Sequence, residues 1–149
     1  MNRHQKTSAF FGRGAARLLL GGLAAALAAC GGSQFAYLDD GGGLTLSVVR
    51  EQKYLGGPWH STLVAAATPR CQKRHPLDGF SEDGFQLKVF RPEPGVYVLN
   101  SGKRWFVTEL KTCEFQAYKT PPPFPGEPIG RFEAAGQGLA YVADKPAKR

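Results

Sequence analysis

Long apolar runs are what this 149-residue chain lacks once its first thirty residues are passed. The longest, Leu63 to Ala67, is five residues, far short of the roughly 20 that a spanning helix needs. Histidine and cysteine are scarce at three each, and no His-x-His, His-x-x-x-His or Cys-x-x-Cys spacing occurs, so no ligand set for a tetrahedral metal can be drawn. There is no Gly-x-Ser-x-Gly nucleophile elbow, and Gly41 to Gly43 precedes a strand pattern instead of the helix that a phosphate-binding loop requires. Paired acids occur only as Asp39-Asp40 and Glu82-Asp83, in turn-like surroundings where solvent leaves them ordinary carboxylates. Serines for a Ser-His-Asp site, Ser61, Ser81 and Ser101, come with no such motif. The expectation is a protein that is not an enzyme and holds no metal or cofactor. No repeat of 20–50 residues is present.

The net charge of +7 is also less than it looks. Arg3, Lys6, Arg13 and Arg17 supply four of the charges, Lys145, Lys148 and Arg149 three more, and residues 30–144 balance twelve basic against twelve acidic side chains. A basic surface for nucleic acid is therefore not expected.

The N-terminus is organised as an export signal. Residues 1–17 are basic without an acid, and Leu18 to Ala29 are twelve uncharged residues of Leu, Ala and Gly. As a helix they would reach about 18 Å, too little for a hydrocarbon core of about 30 Å. The run ends in Leu27-Ala28-Ala29-Cys30, small residues beside a thiol. This stretch resembles the lipobox of bacterial lipoproteins at each of its four positions. The resemblance implies cleavage after residue 29, a diacylglycerol on the Cys30 sulfur and a third acyl chain on its new amine, a covalent lipid in place of any cofactor. One chain alone binds a membrane marginally, but several make attachment effectively permanent. The expected place is the cell envelope, facing the periplasm. Gly31 where an Asp would retain such proteins at the inner membrane points to the outer one.

Export removes one cysteine to lipidation and leaves Cys71 and Cys113 in an oxidising compartment, where an even pair reads as a disulfide. Closing a loop of that length contributes about 4 kcal/mol at most. The competing reading is a reactive or metal-binding Cys71, its thiol acidified by Arg70, Lys73 and Arg74 with His75 nearby, but no further ligands accompany it.

Residues 31–43, small, polar and Gly-rich, read as a flexible tether with Phe35, Tyr37 and Leu38 packing onto the domain edge. From Leu44 the period becomes two. Strands are expected over 44–49, 60–68, 85–90, 96–99, 105–110, 113–118, 129–134 and 139–143, separated by Gly-Gly-Pro, Pro-Glu-Pro-Gly, Asn-Ser-Gly-Lys and Gly-Gln-Gly breakers. Residues 85–118 form the clearest unit, an antiparallel meander. Thr120 to Pro128 holds five prolines and reads as an extended surface wrap, though its composition also suits polyproline-binding domains. The expected fold is all-β, a single domain over 44–143, with six to eight short strands in a small antiparallel sheet, sandwich or partly open barrel, and a polar basic tail over 144–149.

Arg70 to Pro76 concentrates one sign of charge inside the domain. Arg70, Lys73, Arg74 and His75 are candidate contacts for an anion or a partner, against the simpler reading of a solvated connection pinned by the disulfide. Beyond the leader, Cys71 to His75 (Cys-Gln-Lys-Arg-His) and Gly102 to Trp105 (Gly-Lys-Arg-Trp) resemble segments of short proteobacterial lipoproteins, a likeness that implies no activity. Two function classes remain: an envelope-accessory or protein-interaction module with an envelope protein as partner, or a periplasmic binder of a small or anionic ligand. A flat apolar patch favours the first and an enclosed cavity the second.

Overall fold

A computed structural model describes residues 31–78, 80 and 84–145. The expected signal peptide (1–29), lipidated Cys30, Ser81-Glu82-Asp83 and residues 146–149 of the tail lie outside them. The described chain is all-β, without a helix, and therefore has none long and apolar enough to cross a membrane. Two antiparallel sheets share one core.

The four-stranded sheet is a consecutive meander of β1 (Ser33–Gly41), β2 (Leu44–Gln52), β3 (Trp59–Ala67) and β4 (Cys71–Leu77). The six-stranded sheet contains β5 (Gln86–Glu93), β6 (Val96–Asn100), β7 (Trp105–Glu109), β8 (Glu114–Tyr118), β9 (Glu127–Ala135) and β10 (Gly138–Ala143), ordered β10-β9-β5-β6-β7-β8. The expected meander over 85–118 and the terminal hairpin are present, and the sheets do not close into a barrel. Ten strands replace the expected six to eight, because two stretches read as connections are edge strands.

The first is the expected tether, which forms β1 from Ser33 and pairs with β2 along its length. Ala36 and Leu38 alternate with Phe35 and Tyr37, so half of this polar, Gly-flanked segment lines the core. The second is Arg70 to Pro76, of which Cys71 to Leu77 pairs with β3 as β4. Its inward residues are Cys71, His75 and Leu77, partly or fully buried, and the charged residues between them stay exposed because an edge strand at the rim is only half covered.

Alternation fixes the core: Leu46 and Val48 of β2 and Leu63 and Ala65 of β3 meet Leu87, Val89, Tyr97, Leu99, Phe106 and Phe132 of the facing sheet. The proline segment is a connection, as its missing donors require. To pass from β8 to β9 it must cross the β7-β6-β5 width, and Val98, an outward residue of β6, is only 2% exposed. Pro122 and Pro125 are half-buried in that crossing, and Phe124 points to solvent at 86% exposure.

Candidate functional site

The sheets are joined along two seams. At the β4 side the Cys71–Cys113 disulfide links them, with Cα atoms 6.2 Å apart. Cys113 sits in the left-handed region at φ 56°, in the turn between β7 and β8. The bond thus ties the start of β4 across to the meander, one strand later than the end of β3. His75 stacks on Phe115 at 4.6 Å between ring centroids and places Nε2 3.2 Å from the Cys113 carbonyl oxygen. Asp78 pairs with Arg104 of the β6–β7 turn at 3.3 Å.

At the β1 side the ties are non-covalent. The Gln34 side-chain amide donates to the Gln137 carbonyl at 3.3 Å. Arg91 Nη1 donates to Asp40 at 2.9 Å, and the Gly95 amide donates to the other Asp40 oxygen at 3.3 Å. Asp40 is therefore not a free acid in a tether, since its side chain is 12% exposed and bridges the sheets. The Tyr97 hydroxyl, fully buried, lies beside this pair without the geometry of a hydrogen bond to either member. Burial first, then the neighbouring Asp40, raises its pKa.

Between the seams lies Arg50, which the sequence pattern did not single out. It is 4% exposed, on the inner face of β2, where alternation calls for an apolar residue. Its guanidinium carbon lies 5.0 Å from the Trp59 ring centre and 4.7 Å from that of Phe85. Nη1 reaches Gln34 Oε1 at 3.4 Å and Nε has no hydrogen-bond partner. Two aromatic faces stand in for a carboxylate, and burial lowers the pKa of the group. Trp59 and Phe85 both lie well beyond Arg50 in the chain, so no local pattern in the sequence announced the contact.

The four residues proposed as an anion contact are not brought together. Strand alternation sends Lys73 and His75 to one face of β4 and Arg74 to the other, while Arg70 lies exposed in the preceding turn. Arg74 instead reaches Glu51 at 3.9 Å, both side chains 58% exposed. His60 and Ser61 are likewise adjacent on β3 and face opposite ways, so they do not form a nucleophile and base. Among the described residues no three His, Cys, Asp or Glu side chains gather as a metal set. Concavities are open grooves: about 320 Å³ beside Phe80, Lys88 and Lys103, about 290 Å³ beside Trp59, Asp78 and Phe80, and about 560 Å³ beside Arg91, Pro94 and Glu127.

The outer face of the four-stranded sheet is the surface with a distinct character. Its register rows read Phe35-Val49-Thr62-Pro76, Tyr37-Ser47-Val64-Arg74 and Asp39-Thr45-Ala66-Gln72. A fourth row, Ser33-Glu51-His60, lies on the same face, where Glu51 pairs with Arg74 across β3. The strip running from Phe35 and Tyr37 to Val49 and Ser47 carries no charge, and Asp39 stands at its rim. Phe35 and Tyr37 are each 57% exposed, with ring centroids 5.9 Å apart and planes nearly parallel. The sequence hid this pair because both residues fall in a segment that read as a tether.

Fold and surface together define a two-sheet antiparallel β protein with a stapled core and an exposed aromatic pair on one sheet edge. The chain matches no family model, no curated protein and no solved structure.

Proposed function

We propose that this chain is a lipid-anchored envelope protein, held at Cys30 and facing the periplasm at the outer membrane, whose β body is a protein-interaction module. The observation that carries the reading is the exposed Phe35–Tyr37 pair on the outer face of the four-stranded sheet. Protein interfaces are depleted of charge at their centres and enriched in aromatic anchors, with charged residues at the rim. The β1 side of this face has that layout, with Val49 and Ser47 beside the two rings and Asp39, Glu51 and Arg74 around them. A pleated surface of small β-branched residues gives a partner shape to match but no cavity to fill.

The height of the face follows from the chain. Phe35 lies five residues after Cys30, so it stands at most about 17 Å from the anchor by the reach of an extended chain. A partner bound there works close to the membrane surface.

A photo-crosslinking amino acid at position 37, in the lipidated protein in its own envelope, is expected to give a discrete adduct. The same group at Lys88, exposed on the outward face of the other sheet, is expected to give none. Equal yields at both positions, or no adduct at 37, would remove the interaction reading. Anchoring is checked separately: Cys30→Ser is expected to abolish lipid labelling and to leave uncleaved or released protein.

A further inference from the structure

The chain enters the fold beside a hairpin tip that carries two large apolar side chains into solvent. Gly32 accepts a hydrogen bond from the Gln52 amide at 2.8 Å, extending the β1–β2 ladder back toward the chain start. Gly31 lies so close that a Cβ there would overlap the Gln52 carbonyl oxygen and come within 2.7 Å of the Lys53 carbonyl carbon. Only glycine fits that approach. Each step back along β1 is a step forward along β2, so Gly31 lies against Lys53 and the tip begins at the next residue.

The tip is a fixed turn. Gly57 donates to the Tyr54 carbonyl at 2.9 Å, Gly56 takes φ 77°, and the Gln52 side chain donates to the Gly57 carbonyl at 2.6 Å. A positive φ at the third position makes it a type II turn with Leu55 at the second. Tyr54 is 56% exposed with one side of its ring laid against Gly57, and Leu55 is 74% exposed at the apex of the turn.

We propose that Tyr54 and Leu55 dip into the interfacial region of the bilayer beside the lipid on Cys30, with Lys53 at the level of anionic headgroups. The inference rests on the lipid-anchor reading, and geometry then supplies the rest. Acyl chains on Cys30 place that residue at the headgroup boundary, and its Cα is about 3.8 Å from that of Gly31 by covalent geometry. Leu55 is two residues beyond Lys53, within the roughly 5–10 Å by which interfacial segments bury their apolar side chains. Tyrosine at such a boundary keeps its ring in the apolar layer and its hydroxyl wet, and a lysine beside it meets the negative surface. A protein partner would have to share this position with the membrane. Two contacts, lipid and tip, fix the orientation of the body, where lipid alone would let it swivel on one bond.

The test uses the full lipidated protein in vesicles of phosphatidylethanolamine and phosphatidylglycerol. Leu55→Cys and, at the opposite end of the fold, Glu93→Cys are each labelled with an environment-sensitive dye, since the two native cysteines of the body are bonded to each other. Both sites are exposed, so neither variant disturbs the core. Nitroxide lipids are expected to quench the label at 55 at least about threefold more than the label at 93, as depth in the interface requires. Equal quenching on protein whose Cys30 carries lipid by intact mass overturns the tip inference and leaves the anchor standing. Absence of lipid on Cys30 overturns both.

Discussion

The two seams of the sandwich solve one problem by different means. At the β4 edge a disulfide crosses between the sheets, and around it one stacked ring pair and one exposed ion pair suffice. At the β1 edge no covalent bond is present, and the same closure uses Asp40, Arg91, Gly95 and Gln34, several of them half-buried or deeper. A covalent seam is indifferent to pH and tolerant of its polar neighbours, whereas the other depends on ionised and desolvated groups. The difference predicts where substitutions are felt.

The largest effect is expected at the covalent seam. Replacing both Cys71 and Cys113 by alanine should cost about 2–4 kcal/mol, a fall in Tm on the order of 10–20 °C. Thermal unfolding of the oxidised protein against the double variant checks it. An unchanged Tm would mean that the non-covalent ties carry both edges. Intact mass with and without reduction should show the loss of two protons in the native form.

Next comes Arg50, which leans toward the β1 seam through Gln34. Arg50→Ala empties the space between Trp59 and Phe85 and should cost about 2–4 kcal/mol. Arg50→Met keeps the volume and removes a buried charge that lacks a carboxylate, so it should be neutral or stabilising. Denaturant titration of both separates the roles. If Met is as damaging as Ala, the cation itself holds the rings.

How much of this was legible follows the same divide. The meander over 85–118, the terminal hairpin and the disulfide were readable, because alternation there is strong and a lone cysteine pair has one partner each. Both seam-forming edge strands were misread as connections. β1 carries Asp39-Asp40 and a glycine run, and β4 carries alternating cations, and an edge strand buries too few side chains for its apolar half to dominate the pattern. Arg50 was invisible for a deeper reason: its partners, Trp59 and Phe85, are set by tertiary packing. The exposed aromatics at 35 and 37 became meaningful only once β1 was seen to be a strand.

The β1 seam should also respond to base. Burial raises the Tyr97 pKa in the folded state above the ordinary value of about 10. The folded form therefore binds the proton more tightly than the unfolded one, and this contribution is complete below pH about 10. It is lost as pH rises from there toward the folded pKa. Stability should fall above pH about 10, and Tyr97→Phe should flatten that part of the profile. Because the hydroxyl has no hydrogen bond in the fold, the same change should cost less than about 1 kcal/mol at pH 7. A profile equally steep in the Phe variant would place the alkaline transition elsewhere.

The smallest effect belongs to Arg74, the cation most suggestive in the sequence. Its guanidinium lies 3.9 Å from Glu51 with both side chains more than half exposed, a geometry in which Coulomb attraction is screened and side-chain entropy opposes it. Arg70 and Lys73 do not reinforce it, since the first sits in a turn and the second on the other face of β4. Arg74→Ala should change stability by only a few tenths of a kcal/mol. Arg74 also stands at the rim of the face that carries Phe35 and Tyr37, where a charge tunes the rate of encounter more than the lifetime of a complex. The crosslink at position 37 should therefore persist in the Arg74→Ala protein and weaken only modestly as salt is raised. Loss of the adduct with Tm unchanged would move the centre of the contact from the aromatic pair to the β4 edge, and the strand that read as a charged connection would be the recognition element after all.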